Sequence, residues 1–548
     1  MSTKIEVYDT TLRDGTQGEG INLSLSDKLR IAERLDTLGV DYIEGGWPGS
    51  NPKDVAFFRA AATRTWRHAR VYAFGSTRRP HGAAMDDPNI RALIESGTSG
   101  VTIVAKSWTH HVTEVLQTTF EENLAMIADS VSYLKAQGLR VIYDAEHFFD
   151  GFAADRDYAL ATLRAAADAG AVMLVLCDTN GGSLPETIAG VVGSVASALE
   201  TPLGIHTHND GELAVANTLA GVRAGASQIQ GTFNGYGERC GNANLCSVIP
   251  NLELKLGYAC LPPGQLAHLT ETARFVGEVA NRALETGQAY VGHSAFAHKG
   301  GIHVSAMRRS PIAYQHVDPA LVGNTQRTLI SELSGRSNVL ELVERIGNGT
   351  LDGGRATAVL EQVKALEHEG FSFEGAEASV HLMVQRTEPG YVAPFRLLDF
   401  TVVVQRRPSG EMIAEAMVKL DLDGVTIHTA ADGNGPVNAL DLAARKALRE
   451  HYPAINETHL LDFKVRVLDG HDGTGATVRV LIESGDEEDT WSTVGSSENL
   501  IEASWIALSD SLEFAINRAQ TRNGARHGSR VPSNSVEGTE TSNRGRIS

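Results

Sequence analysis

The sequence has 548 residues, 42% of them apolar and 21% charged, a composition typical of a soluble globular protein. This length exceeds what one hydrophobic core supports, so we expect two or three domains. The formal charge of −19, from 48 basic and 67 acidic residues, argues against nucleic acid or an anionic membrane as a partner, while leaving room for a local basic patch that binds a phosphorylated cofactor.

From residue 4 to about residue 257, short β-rich runs alternate with helical stretches. The β-rich runs are IEVYDTT, DYIEGG, RVYAFGS, GVTIVAK, RVIYDAEHF, VMLVLCDTN, LGIHTHND and QIQGTFNGYG. The first helical stretch, SLSDKLRIAERLDTLG, starts with Ser and Asp and places Leu29, Ala32, Leu35 and Leu38 along one stripe. Eight such units predict a (β/α)8 TIM barrel, although a doubly wound open sheet would alternate in the same way.

Polar residues at the carboxyl ends of the predicted strands favour the barrel over the open sheet. They are Asp9, Asp14, Glu44, Lys106, Glu146, Asp178, His206, His208 and Asn234. In a barrel these strand ends converge on one mouth, where the chemistry is carried out.

Two of these strand ends carry side chains that suit a metal ion. His206 and His208 are two positions apart on a strand, so both point to the same side. With the carboxylate of Asp14 they form a plausible ligand set, and the neighbouring Arg13 is a fixed cation suited to an anionic substrate or a developing oxyanion. The alternative is a pair of surface histidines beside an ordinary Asp–Arg loop.

The glycine-rich string GYGERCGNANL at 235–245 follows the eighth strand, and its Asn242 offers a neutral oxygen to a metal. Taken alone, the string is equally typical of a tight turn at the barrel rim. A carboxylate, two imidazoles and an amide oxygen would leave open positions on Mg²⁺ or Mn²⁺ for a chelating 2-oxo acid, with Zn²⁺ or Co²⁺ as alternatives.

Three further positions are candidates for acid–base work or substrate binding. Glu146 is either a general acid/base or a residue that orients a ligand. Thr179 either binds a substrate carboxylate or caps a helix. His303, like His298, is either a base in a closing loop, preceded by the mobile pair Gly300–Gly301, or plain surface.

After the barrel, the sequence predicts three more regions. Residues 261–375 read as a helical linker or lid subdomain, with a polar stretch at 293–324 and helices near 337–348 and 354–368. Residues 376–520 repeat a strand–turn–helix pattern at an offset of about 64 residues and predict a regulatory, dimerising α+β domain. Residues 521–548 lack apolar periodicity and are predicted to be disordered, which leaves 1–260 as the catalytic barrel.

The four cysteines show no CxxC and no secreted-scaffold spacing. The first residues run directly into a strand, without a signal-peptide pattern or a long apolar span. We therefore expect a cytoplasmic protein without a membrane partner.

Five motifs in order, DTTLRDGTQ, HTHND, GYGERCGNANL, AFAHKGGIH and GNGPVNAL, resemble the family of 2-isopropylmalate, homocitrate and citramalate synthases over residues 4–520. Within that family, DAEHFFDG and YQHVDPALVGNTQRTLISELSGRSN resemble most the citramalate synthases of the long bacterial type. The resemblance implies a Claisen-type condensation of acetyl-CoA with a metal-chelated 2-oxo acid, followed by thioester hydrolysis. For citramalate synthases the 2-oxo acid is pyruvate and the product belongs to isoleucine biosynthesis.

The resemblance also implies roles for individual residues. Asp14, His206 and His208 would hold the metal, with Asn242 close to it or ligating. Arg13 would steady the keto oxygen, with Gln17 nearby, and Thr179 would bind the substrate carboxylate. Glu146 and His303 would share the acid–base work, and Tyr314 would lie near the acyl-CoA. The family further implies a homodimer and feedback inhibition, here by isoleucine, through the C-terminal domain.

Three alternatives stay open at this point. A 2-isopropylmalate synthase would use 2-oxoisovalerate, and an apolar pocket separates the two ketoacids by only about 1–3 kcal/mol. A lyase would run similar chemistry in reverse, although the long C-terminal domain argues against it. An inactive amino-acid sensor would have no need of the intact site residues.

Overall fold

The computed structural model describes residues 2–346, 352–468 and 470–528. These residues form two compact units. The first runs to Ala297 and also includes Gln315–Gln326, and the second contains His298–Tyr314 and the described residues from Arg327 onward. The predicted domain borders near 260 and 375 lie inside these units, because Cys260 and Leu269 belong to the barrel core while Val359 packs in one cluster with Val494.

Within residues 2–346, eight parallel strands close into a barrel in chain order. They are β1 (Glu6–Asp9), β2 (Tyr42–Glu44), β3 (Arg70–Ser76), β4 (Gly100–Lys106), β5 (Arg140–Glu146), β6 (Met173–Asp178), β7 (Leu203–Thr207) and β8 (Ala226–Gly231). Because β1 pairs with both β2 and β8, the predicted TIM barrel is confirmed and the open sheet is excluded.

Helices surround the barrel wherever the sequence shows a helical period. In the first unit they are α1 (Leu25–Leu38), α2 (Pro52–Ala61), α3 (Pro88–Glu95), α4 (Phe120–Ala136), α5 (Phe148–Ala154), α6 (Arg156–Ala169), α7 (Pro185–Ala198), α8 (Ala214–Arg223), α9 (Leu245–Leu254) and α10 (Leu269–Val279). The side chain of Ser24 accepts from the Asp27 N–H, and the Asp27 carboxylate accepts from the Ser24 N–H, so a capping box starts α1 as predicted. The predicted stripe of Leu29, Leu35 and Leu38 is buried in the barrel core.

Three tyrosines fill part of the barrel interior. Tyr8, Tyr42 and Tyr72 are at most 2% exposed, and their ring centroids lie 5.1–6.4 Å apart. The hydroxyl of Tyr8 donates to Glu44 Oε1 at 2.9 Å and therefore accepts from Thr102 Oγ1 at 2.6 Å. The interior is thus a packed core that also fixes the carboxylate of Glu44 at the end of β2.

The remaining elements begin with two short strands, β9 (Ala297–His298) and β10 (Arg327–Thr328). The helices that follow in chain order are α11 (Gly301–Arg309), α12 (Arg336–Ile346), α13 (Gly353–His368) and α14 (Glu377–Arg386). Helices α12 and α13 lie where the sequence predicts them, and α13 begins after Asp352, whose side chain accepts from the backbone N–H groups of Gly354 and Arg355.

The described residues from 396 to 528 contain the predicted duplication. The first copy consists of β11 (Arg396–Arg406), β12 (Met412–Leu422), β13 (Val425–Gly433) and α15 (Pro436–Leu448). The second consists of β14 (His459–Val467), β15 (Val478–Gly485), β16 (Thr490–Ser497) and α16 (Leu500–Gly528). In each copy three antiparallel strands precede one helix, and apolar residues of both copies share one core.

Two segments differ from the expectations. The polar stretch 293–324 contains helix α11, because Val304 and Met307 occur at helical spacing and are buried. Helix α16 continues to Gly528, past the predicted start of the disordered tail at 521. The rest of that predicted tail, 529–548, lies outside the described residues. None of the helices in the described ranges combines the length and the apolar character that crossing a membrane requires.

Candidate active site

Asp14, His206 and His208 come together at the carboxyl ends of β1 and β7. Each contributes one potential ligand atom, and these atoms lie within 4.8 Å of one another. The two histidine Nε2 atoms are 3.3 Å apart, and Asp14 Oδ2 lies 3.5 Å from that of His206 and 4.0 Å from that of His208. All three side chains are buried. The structure thus assembles the three residues predicted as metal ligands, while ligation itself stays a prediction.

A hydrogen-bond chain orients the ring of His206. Its Nδ1 lies 3.0 Å from Gln230 Oε1, and Gln230 Nε2 donates to Asp144 Oδ1 at 3.2 Å. Because the amide oxygen only accepts, Nδ1 of His206 carries the proton and Nε2 keeps its lone pair. Nε2 is the atom that faces Asp14, so Gln230 holds His206 in the tautomer that a metal ligand requires.

The glycine-rich string positions Asn242 beside these residues. A Cβ at Gly241, whose φ is +86°, would lie 1.9 Å from the carbonyl oxygen of Gly235, so only glycine fits there. Asn242 pairs with His208 in a β-bridge, and its Nδ2 donates to Asp14 Oδ1 at 3.0 Å. Its Oδ1 is buried and has no hydrogen-bond partner among the described residues. The amide nitrogen therefore faces Asp14, and ligation through the predicted amide oxygen stays a prediction.

The charge state of this cluster suits a divalent cation. Burial opposes ionisation of Asp14, but Arg13 and the two histidines outweigh it and lower the pKa of Asp14 to about 2. Burial, followed by the neighbouring His206, lowers the pKa of His208 to about 4. At neutral pH the cluster thus offers one carboxylate and two neutral imidazoles, all with free lone pairs, and these residues fit a metal ion.

Arg13 is held between two carboxylates next to the cluster. Its Nε donates to Glu44 Oε2 at 2.6 Å and its NH1 to Asp14 Oδ2 at 3.1 Å. The guanidinium carbon also lies 3.9 Å from the ring centroid of Phe74. Burial disfavours the charge, but Glu44 and then Asp14 more than offset it and raise the pKa of Arg13. Arg13 is therefore a permanent, oriented cation.

A cavity of about 440 Å³ in the first unit joins these groups to the predicted substrate-binding residues. The predicted site residues in its lining are Arg13, Asp14, Gln17, Glu146, Thr179, His206 and His208. Glu146 forms an ion pair with Lys106 there, so a group that could exchange a proton has a cation beside it.

Thr179 is prepared to donate a hydrogen bond into this cavity. Its Oγ1 accepts the backbone N–H of His147 at 2.9 Å, which leaves its own hydroxyl proton for a ligand. Helix α7 begins after Leu184, so Thr179 is not its N-cap. Arg239 NH2 donates to the carbonyl oxygen of Thr179 at 2.7 Å while Arg239 also holds both carboxylate oxygens of Asp210. The sequence analysis did not predict the contact between Arg239 and Asp210, although Arg239 lies in the motif GYGERCGNANL and Asp210 in the motif HTHND.

Comparison with known proteins places this site in a family. The HMGL-like family model matches residues 4–276, the homocitrate synthase post-HMGL domain-like model matches 290–370, and the LeuA allosteric (dimerisation) domain model matches 374–516. The (R)-citramalate synthase of Geobacter sulfurreducens is 50% identical over 525 residues, which cover 95% of this chain and 99% of that protein. The chain belongs to the (R)-citramalate synthase family.

Other relatives agree with this membership. The (R)-citramalate synthase of Synechocystis is 51% identical over 94% of this chain and 96% of that protein. A 2-isopropylmalate synthase of Sulfolobus acidocaldarius is 34% identical over 69% of this chain and 94% of that protein. The chain is therefore far closer to these (R)-citramalate synthases than to that 2-isopropylmalate synthase.

Not every polar strand end of this citramalate synthase family member serves the cavity. Asp9, Asp178 and Asn234 lie outside its lining in the described part of the barrel. Asp9 accepts from Thr11, Asp178 accepts from Ser183, and Asn234 donates to the carbonyl oxygen of Ala273. These three side chains fix loops at the rim. The periodicity that located them could not separate a rim-fixing role from a catalytic one.

Two predicted residues belong to the second unit of the family member. His303 lies in the first turn of α11, and Tyr314 stacks on it with ring centroids 4.3 Å apart. Both side chains are exposed. The helical first turn replaces the predicted mobile loop around His303. Acid–base work for His303 and acyl-CoA contact for Tyr314 stay predictions.

Proposed function

We propose that the chain condenses acetyl-CoA with pyruvate and hydrolyses the resulting thioester to give (R)-citramalate and CoA, in isoleucine biosynthesis. The observation that carries this proposal is the 50% identity to an (R)-citramalate synthase across 95% of the chain. The cavity that joins Arg13 to the Asp14–His206–His208 cluster supports it, because it supplies the groups that such a condensation needs.

The four cysteines, all unpaired in the described residues, accord with a cytoplasmic location.

The first chemical requirement is polarisation of the ketone of the 2-oxo acid. We propose that Asp14, His206 and His208, with Asn242, hold Mg²⁺ or Mn²⁺, with Zn²⁺ or Co²⁺ as alternatives; when bound, such an ion supplies Lewis-acid polarisation. Arg13 adds a second positive charge directed at the oxygen where negative charge develops. Since Glu44 and Asp14 both hold its guanidinium, Arg13 needs no reorganisation during the reaction.

The second requirement is proton transfer and control of the ketoacid. Thr179 donates its hydroxyl proton to the ketoacid carboxylate, with its position fixed by His147 and Arg239. Gln17, which also lines the cavity, completes the substrate contacts. Glu146 exchanges a proton with the reacting groups, and its ion pair with Lys106 holds its carboxylate in the cavity wall. The family resemblance further implies that His303 shares the acid–base work and that Tyr314 lies near the acyl-CoA.

Release of free CoA tests the proposed function. We expect CoA to appear only when acetyl-CoA, a 2-oxo acid and a divalent metal are all present. Among pyruvate, 2-oxobutyrate, 2-oxoisovalerate and 2-oxoglutarate, pyruvate should give the highest kcat/KM, and chiral chromatography should show the (R) product. Preference for 2-oxoisovalerate would instead indicate a 2-isopropylmalate synthase. CoA release without any 2-oxo acid, or none at all, would contradict a synthase.

We also propose that the C-terminal domain forms a homodimer and binds isoleucine as a feedback inhibitor. The match to a domain model described as allosteric and dimerising supports this. A cavity of about 850 Å³ next to α15 offers charges of both signs, from Asp441, Lys446 and Arg449, together with apolar walls from Val437 and Phe463. A zwitterionic amino acid with an aliphatic side chain needs this combination.

Filling that cavity tests the regulatory proposal. Because Val437 lines the cavity and Trp is much larger, Val437→Trp should raise the isoleucine concentration for half-inhibition at least about tenfold, with uninhibited turnover kept. Val425→Trp, at an exposed strand position outside the described lining, is the matched control and should stay inhibited. Unchanged inhibition of the Val437 variant would contradict this location, and sedimentation of a monomer would contradict the homodimer.

A further inference from the structure

The wall of the barrel cavity carries an arginine that the proposed mechanism does not use. Its cationic side chains are Arg13, Arg78, Arg79 and Lys106. All but Arg79 have carboxylate partners in the structure. The pairs are Arg13–Glu44, Arg78–Glu122, Arg78–Asp129 and Lys106–Glu146. For Arg79, no described carboxylate lies within ion-pairing distance, so its charge is available to a ligand.

The backbone that carries Arg79 is anchored on both sides. The N–H of Arg79 donates to Asp87 Oδ2 at 3.0 Å, and its carbonyl oxygen accepts from Arg78 NH1 at 3.1 Å. The preceding N–H, that of Arg78, donates to Ser130 Oγ at 2.9 Å. These bonds anchor the backbone at the start of the loop after β3, while the side chain of Arg79 is exposed. An anchored backbone reduces the entropy lost when the guanidinium binds a partner.

The difference in burial between the Asp14–His206–His208 cluster and Arg79 indicates which of the two substrates Arg79 contacts. The Asp14–His206–His208 cluster is at most 5% exposed, so a three-carbon ketoacid held there lies deep in the cavity. Arg79 is exposed and therefore lies at the outer part of the same cavity. An acyl-CoA places its thioester at the reacting carbons and its phosphates at the far end of a long arm. The phosphates must therefore lie towards the solvent side, where Arg79 is.

We propose that Arg79 binds a phosphate group of the acyl-CoA substrate, an inference that rests on the proposed function. A guanidinium matches phosphate oxygens in a two-pronged geometry. Local positive charge is also necessary here, because the chain carries a net charge of −19 and repels a polyanion at longer range. Arg79 would thus supply the local positive charge for a phosphorylated ligand that a net negative charge of the whole chain still permits.

Direct binding of coenzyme A to the Mn²⁺-loaded enzyme tests this by calorimetry. We expect Arg79→Gln to weaken coenzyme A binding about tenfold, because one charge-assisted contact to phosphate is lost. Pantetheine, which has no phosphates, should bind the wild type and the variant equally. Dephospho-coenzyme A distinguishes the 3′-phosphate from the diphosphate, and Arg79→Lys should retain part of the affinity through its point charge.

Arg67→Gln is the matched control, since Arg67 is exposed and precedes β3 at the opposite end of the strand from Arg79. It should leave coenzyme A binding unchanged. Equal coenzyme A affinity of wild type and Arg79→Gln would overturn the assignment, as would a rise confined to the pyruvate KM, which would assign Arg79 to the ketoacid carboxylate. If the wild type itself bound no coenzyme A, the proposed function would fail together with this inference.

Discussion

Replacing Asp14 by Asn should abolish condensation and weaken Mn²⁺ binding more than about a hundredfold, since even partners of metal ligands contribute 10–100-fold. The pKa of Asp14 is lowered to about 2, so at neutral pH the carboxylate is fully ionised and supplies the negative charge of the cluster. Asn keeps the shape and removes that charge. Calorimetric titration with Mn²⁺ and release of CoA measure the two effects.

Asp178→Asn is the control for this substitution. Asp178 also ends a barrel strand and is buried, but its carboxylate accepts from Ser183 and lies outside the described cavity lining. We expect this variant to bind Mn²⁺ and turn over like the wild type, and circular dichroism should show both variants folded. Wild-type turnover of Asp14→Asn would refute the metal assignment.

Replacing Arg13 by Gln should reduce both activity and stability. Loss of the oriented cation should lower kcat about a thousandfold, the upper range for removing one group that stabilises developing charge. The free energy of unfolding should fall by about 3–5 kcal/mol, because Glu44 is left buried at 0% exposure without its partner. Turnover assays and chemical denaturation monitored by fluorescence measure these changes.

The double variant Arg13→Gln/Glu44→Gln separates the two effects. Removing both charges leaves no unpaired buried carboxylate, so most of the lost stability should return while activity stays low. Arg13→Lys should fall between, since one ammonium cannot hold Glu44 and Asp14 in the same two-pronged way. If the double variant were as unstable as Arg13→Gln, the unpaired carboxylate of Glu44 would not be the cause of the lower free energy of unfolding.

The sequence predicted the barrel and the central cluster because both depend on local patterns. Alternation of side chains along β7 brings His206 and His208 to one side, and the closed order of the strands brings Asp14 to them. The C-terminal duplication could be predicted for the same reason, since both copies keep the same order of strands and helix.

The parts that sequence reasoning missed depend on contacts between distant strands. Gln230 on β8 meets Asp144 on β5 across the barrel interior, and neither position stands out in the local alternation. Burial and then Glu44 raise the pKa of Asp144, a coupling that only the closed barrel creates. The pairing of Arg78 with α4, which leaves Arg79 as the cation without a described partner, is likewise visible only in three dimensions.

The tyrosine-filled interior has a consequence for redesign of this barrel. A continuous chain of hydrogen bonds runs from Thr102 through Tyr8 and Glu44 to Arg13. The packed interior of the barrel therefore helps to position the guanidinium of Arg13. An engineer seeking new ketoacids should therefore vary lining positions outside this chain of contacts, such as Leu116 and Met126, and leave the chain itself unchanged. Loss of the Tyr8 hydroxyl alone would remove a hydrogen bond from Glu44, the carboxylate that holds Arg13.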